Sequence, residues 1–164
     1  RKYPRRLGSF LVWLARHRYR NQKLIVWSLN VHLARDLDRL TTREATTRTK
    51  LDEMSTIGDE VAKALGREVY TIALTAFSGD LGTPSRQPSP LLVPTPGSFE
   101  DLMSRTGLEA AVVELRHLPA SGSWLQRSLI ARPISHKELL GVWPRHVDAL
   151  LYLRRLEAAR PTGG

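Results

Sequence analysis

Lys23-Leu24-Ile25-Val26-Trp27-Ser28-Leu29-Asn30-Val31-His32 decides how the rest of the chain is read. A short apolar run stops abruptly at Trp27, and an Asn and a His follow within five residues. The run predicts a buried strand, Lys23 to Trp27, whose C-terminal end delivers polar side chains into a crevice. In open α/β sheets that is where ligands bind. Asn30 and His32 are therefore candidates for a crevice role, with Trp27 and Ser28 beside them. Each has a plainer reading. His32 can pair with Asp36, four residues on, if Val31 opens a helix. Asn30 can form an Asx turn that ends the strand. Trp27, like Trp124 and Trp143, can simply fill core.

On the N-terminal side, Leu7, Phe10, Leu11 and Leu14 follow helical spacing, and Arg16, Arg18 and Arg20 close that helix where cations suit the dipole. The same spacing puts Trp13 in the core. On the C-terminal side, Leu40 to Ser55 is rich in Thr and charge, and reads as a mobile loop or an irregular helix over the crevice. Ser55 or Thr56 caps a helix from Ile57 to Leu65, and Gly66 ends it. Val69 to Phe77 reads as a second strand, and Ser78 to Gly97, full of Gly and Pro, as a loop. Ser98 caps a helix from Phe99 to Arg105, with Glu100 and Asp101 in its first turn and Gly107 as its stop. Ala110 to Leu115 and Val147 to Leu153 complete the strands, with a short irregular segment, Trp124 to Arg132, between them. Strands alternating with helices predict an α/β fold with a largely parallel central sheet flanked by helices.

The chain has 164 residues, of which 41% are hydrophobic, enough for one domain with a real core. It has no cysteine, which removes disulfides, cysteine-ligated metal and a Cys nucleophile. No apolar run approaches the roughly 18 residues of a membrane span. The net charge of +9 invites a nucleic-acid reading, but its distribution does not. Residues 1–23 hold eight Lys or Arg and no acid, while the rest hold 17 basic and 16 acidic side chains. The body is nearly neutral, with a cationic leading segment in which Tyr3, Trp13 and Tyr19 are interleaved. His17, His117, His136 and His146 show no metal-ligand spacing, so neither a metal nor any other cofactor is expected. No Gly-x-Ser-x-Gly elbow supports a serine hydrolase.

The order of residues is more specific than any of these patterns. Trp27 to His32 resembles the Val-Trp-Ala-His-Asn-x-His-Val signature of the erythromycin esterase family. Further segments are similar in the same order: Thr56-Ile57-Gly58 with Leu65-Gly66, Tyr70 to Gly79, Pro96 to Glu100, Trp124-Leu125 through Arg132-Pro133-Ile134, and Val147 to Leu153. The resemblance covers residues 8–161, between a basic leader, 1–7, and a tail, 162–164. It is to the C-terminal half of the family, so an incomplete domain is expected. It implies a cytoplasmic α/β hydrolase that opens the lactone ester of a macrolide antibiotic, a resistance function. Water is activated there by a His, with Glu, Arg and other His residues assisting. By that resemblance His32 becomes the candidate catalytic residue, and Asn30, Trp27 and Ser28 the candidate substrate-binding residues. Two departures stand out. Leu29 occupies the place of the first His of the paired motif, and Leu can neither accept a proton nor donate to an oxyanion. The family's Gly-Glu-x-x-His-Gly type motif is absent; Gly58-Asp59-Glu60 continues without a His. The alternatives are a non-catalytic binding domain, or an anion or nucleic-acid binder acting through residues 1–23. The expected partners are a small-molecule ester, and a missing N-terminal half or a second copy of the chain, with no membrane.

Overall fold

The computed structural model describes residues 3–82 and 87–158. Five α-helices, α1 (Tyr3–Trp13), α2 (Asn30–Leu33), α3 (Ala45–Asp52), α4 (Ile57–Leu65) and α5 (Phe99–Ser104), accompany six strands. These are β1 (Ile72–Leu81), β2 (Ser89–Pro90), β3 (Ala110–Glu114), β4 (Leu129–Ala131), β5 (Leu139–Gly141) and β6 (Ala149–Leu156). The main sheet runs β2-β1-β6-β3, and β4 and β5 form a separate ribbon. The α/β class is as the sequence implies, but the sheet is not largely parallel. Only β1 and β6 run parallel; β2 and β3 flank them antiparallel. A parallel pair needs a crossover, usually helical. Residues 115–148, which join β3 to β6, instead form two 3-10 segments, Ala120–Gln126 and Trp143–Arg145, and the β4–β5 ribbon, and the chain returns antiparallel.

The elements with local signals form where the sequence places them. Thr56 accepts from the Asp59 amide while the Asp59 carboxylate accepts from the Thr56 amide, a reciprocal cap that starts α4. Ser98 caps α5 by accepting from the Asp101 amide, and Gly107 follows the helix at φ 77°. The helix beginning at α1 ends in a π-helical turn, Leu14–Arg18, closed by Tyr19 N–H on the Leu14 carbonyl at 2.8 Å. Its Trp13 is half exposed and stacks on Phe10 and His17 rather than entering the core. The Thr-rich stretch resolves into α3, where Arg48 pairs with Asp52 one turn on. The Gly and Pro stretch is less loop-like than its composition, because β1 continues through Leu81 to pair with β2. The tail expected at 162–164, and residues 1–2 of the leader, fall outside the described residues.

A further prediction is overturned. Lys23 to Trp27 is no strand: it is irregular and exposed, with Ile25 88% and Trp27 91% accessible. Apolar, β-branched residues favour a strand only where a neighbour takes their backbone groups. Among the described residues none lies alongside, and the adjacent β1 edge is occupied at Leu74 by a side chain.

The sheet has one covered and one open face. Ala73, Phe77, Leu150, Tyr152 and Val113 pack with Phe99 of α5, Trp143, Leu139 and Ala131 in the core. The register puts Ile72, Leu74, Leu151, Leu153, Ala110 and Val112 on the opposite face, where Ile72 is 50% and Val112 64% exposed. At the N-terminal ends of the parallel strands sits Asp148, almost fully buried. Its carboxylate accepts from Arg35 Nη1 and Nη2 at 2.9 and 3.2 Å, from Arg116 Nε at 3.0 Å and from the Thr71 amide at 2.7 Å. Burial alone would raise its pKa; the Arg35, Arg116 and Thr71 hydrogen bonds outweigh that and hold it below the usual aspartate value.

Breaking a buried ion pair by removing one partner costs about 3–5 kcal/mol. We therefore expect Asp148→Asn to lower stability by about 3 kcal/mol in urea denaturation. Because the folded pKa is depressed, Asp148 contributes stability that is full above the unfolded value and is lost as pH falls through the folded one. Acid unfolding should consequently flatten in Asp148→Asn. An unchanged urea midpoint and an unchanged acid transition would contradict both points.

Candidate functional site

The site is assembled on the outer edge of β1. Asn30, the first residue of α2, turns its amide onto that edge. Its Nδ2 donates to the Leu74 carbonyl and to the Pro133 carbonyl, both at 2.7 Å, and its Oδ1 accepts from the Leu74 amide at 3.3 Å. One side chain thus gives Leu74 what a neighbouring strand would give it, and fastens the Pro133 turn to the same place. It makes neither the Asx turn nor a bond to His32.

His32 lies two residues on in the same single turn, half-buried, with its amide bonded to the Leu29 carbonyl at 2.9 Å. It does not pair with Asp36. That residue stands at φ 50°, and its carboxylate faces Arg39. The turn is pressed against α4 at Gly58, where an added Cβ would lie 2.0 Å from the Leu33 carbonyl oxygen. Only glycine allows this approach, so α4 and the Asn30 amide together fix α2. Leu29, immediately before it, is 67% exposed.

Trp27 is brought to a different place from Asn30. With Leu24, Ile25 and Val26 it walls a cavity of about 490 Å³, opposite Tyr70 and Ile72 and above α1 and α4. The cavity is predominantly apolar, of a size that suits a small organic ligand. Ser28, half-buried, connects the cavity wall to the Asn30 turn.

A second group of side chains on the same edge escaped the sequence reading. Arg132 is 1% exposed and donates to the Ala76 carbonyl through Nε and Nη2 at 3.1 and 2.9 Å, to the Phe77 carbonyl at 2.6 Å, and to the Leu92 carbonyl. Beside it, the fully buried Glu100 accepts from the Thr75 hydroxyl at 2.5 Å and from the Arg132 amide at 3.0 Å, both through Oε1. Its Oε2 has no partner among the described residues. Burial pushes the Glu100 carboxyl up, against the pull of the Thr75 and Arg132 hydrogen bonds. Ser135 and His136 follow at φ 53° and 55°, a left-handed pair without glycine. Burial first, and then the charge of Arg132, hold the His136 imidazole below its usual pKa. Its Nδ1 is buried and unpartnered among the described residues. The sequence signals for this group were faint. Arg132 belongs to the Arg-Pro-Ile stretch, and His136 stands at no metal-ligand spacing from another histidine.

Chemically, the edge offers His32 on a turn fixed by Asn30 and, near Arg132, the His136 imidazole held toward its neutral form and the buried carboxyl of Glu100. Glu114 and Arg116, at the end of β3, do not join it. Glu114 accepts from the Tyr70 hydroxyl, and Arg116 holds Asp148. The burial and hydrogen bonding of Tyr70 push its phenol up to about 12.

Two solved structures share this architecture. One, of a protein from Bacillus cereus, matches with a TM-score of 0.67 at 15% identity over 92% of this chain and 37% of its own. The other, of a succinoglycan biosynthesis protein, matches with a TM-score of 0.71 at 16% identity over 94% and 38%. The chain thus spans less than two-fifths of either solved protein, and at that identity the likeness is one of fold. No curated protein matches the sequence. The sequence model of the erythromycin esterase family matches residues 8–156, nearly the whole chain. Its segments from Trp27 to Leu153 fall in that span, and the chain belongs to the erythromycin esterase family.

Proposed function

We propose that the chain is the C-terminal part of a hydrolase that opens carboxylic esters of the macrolide-lactone type with water. The observation that carries this reading is the Asn30 amide. Bonded to Leu74 and Pro133, it holds α2 on the β1 edge and so presents His32 at a fixed point beside the sheet. In this reading the histidine that activates water comes from a part of the protein beyond these 164 residues. His32 positions the ester or stabilises the charge that develops on its carbonyl oxygen. Trp27 and Ser28 hold the apolar body of the substrate, for which the adjoining cavity supplies room. A cytoplasmic location and a role in resistance to a macrolide belong to the same proposal.

Hydrolysis of a macrolide lactone and of a simple nitrophenyl ester by the full-length protein tests it. His32→Ala should lower kcat/KM by roughly 10²-fold or more with the fold intact by circular dichroism. Asn30→Ala should lower both activity and thermal stability, because both backbone groups of Leu74 lose their side-chain partner at once. Full activity in His32→Ala would end the assigned role.

Leu29 favours a second reading, a binding domain without catalysis. It is apolar and 67% exposed at the position where the family carries a histidine. Its exposure leaves room for an imidazole, so Leu29→His should change stability by no more than about 0.5 kcal/mol. A gain in ester turnover in that variant supports the hydrolase reading. A correctly folded Leu29→His protein with no gain supports the binding domain.

A further inference from the structure

The two edges of the main sheet are treated unequally. On the β1 side, the Asn30 amide takes both backbone groups of Leu74, Arg132 takes the carbonyls of Ala76 and Phe77, and β2 pairs with Asp80 and Leu81. Side chains and a short strand thus cover that edge for most of its length. On the other side lies β3, Ala-Ala-Val-Val-Glu, with no Lys, Pro or bulge to blunt it.

The hydrogen-bond phase of β3 follows from its ends. Arg154 N–H donates to the Glu109 carbonyl and Leu115 N–H to the Asp148 carbonyl, at 2.8 Å each. Pairs that exchange hydrogen bonds alternate with pairs that do not. Glu109, Ala111, Val113 and Leu115 therefore face β6, and Ala110, Val112 and Glu114 turn their N–H and C=O groups outward. Among the described residues, nothing bonds to these six outward groups.

We propose that this edge pairs with the same edge of a second copy of the chain, β3 antiparallel to β3 about a two-fold axis at Val112. That register makes Val112 face its own equivalent and Ala110 face Glu114, so all three outward residues exchange hydrogen bonds and all six groups are satisfied. It is self-complementary in charge too: the one acidic side chain in the strand, Glu114, meets an alanine rather than another carboxylate. Ala110 and Val112 lie on the open apolar face, so pairing joins the two open faces into one continuous surface. The isologous arrangement closes and does not propagate into a filament.

The chain has no cysteine, which makes a clean probe available. In a hydrogen-bonded antiparallel pair the facing Cα atoms lie about 5.5 Å apart, inside the range a disulfide spans. In the full-length protein, Val112→Cys should cross-link to a covalent dimer under mild oxidation at least tenfold faster than Val93→Cys, an 87% exposed site away from the edge. Sedimentation velocity should show a concentration-dependent dimer in the unaltered protein. Val112→Lys, which sets two like charges side by side at the axis, should abolish it while leaving the circular dichroism unchanged. A monomer at all concentrations, equal cross-linking at Val112→Cys and Val93→Cys, or a dimer that persists in a folded Val112→Lys protein would each overturn the pairing.

Discussion

The carboxylate of Asp148 is the constraint on which the rest of the structure depends. It stands one residue before β6 and accepts from the amide of Thr71, one residue before β1, so it sets the two parallel strands in register at their common start. Arg35 and Arg116 close around it from the segment after α2 and from the end of β3. Four stretches of chain, widely separated in sequence, therefore meet on two oxygen atoms. Arg116 also reaches the Arg67 and Val69 carbonyls, and stacks over the Tyr70 ring at 4.8 Å. A single charge so enclosed tolerates burial because each lone pair has a donor. The geometry of α2, and with it of His32, is anchored at one end here, through Arg35, and at the other by Asn30.

The β1 edge shows a second economy of means. A sheet edge inside a protein must have its backbone groups paired. At Leu74, Ala76 and Phe77 this is done by an amide and a guanidinium, from α2 and from the segment after β4. Neither residue is free to leave: withdrawing Asn30 or Arg132 opens the edge. The residues that define the candidate site are thus also structural, which is why His32, whose side chain does not serve the edge, is the more informative position for mutation.

The parts of this fold that were legible in the sequence are those whose stabilisation is local. The start of α4 at Thr56 and its end at Gly66, the Ser98 cap of α5 and the apolar cores of β3 and β6 are set by residues within a few positions of each other. The parts that were not legible depend on distant partners. Leu24 to Trp27 has strand composition, but a strand requires a neighbour. Asp148 reads as an ordinary acid beside an apolar run until Arg35, 113 residues away, is placed against it. Arg132 reads as surface charge, yet it is among the most deeply buried side chains. Of the candidate site, the family resemblance located Asn30 and His32. The role of Asn30 on Leu74 is a contact across 44 residues that no spacing encodes.

The two buried carboxyl groups, Asp148 before β6 and Glu100 in α5, show how the same chemistry is set in opposite directions within one fold. Asp148 has two guanidinium groups and an amide directed at it and is held charged. Glu100 has a hydroxyl and an amide on one oxygen and none on the other, and Arg132, although close, aims its guanidinium donors at carbonyls instead. Burial therefore dominates at Glu100 and favours the neutral acid, which alone can offer a proton from the unpartnered oxygen. The His136 imidazole is likewise held toward its neutral form, by burial and then by the charge of Arg132. Divergent environments of this kind separate acid from base roles wherever one fold needs both. Ser135 and His136 themselves stand in the left-handed region without glycine, a conformation that stores backbone strain.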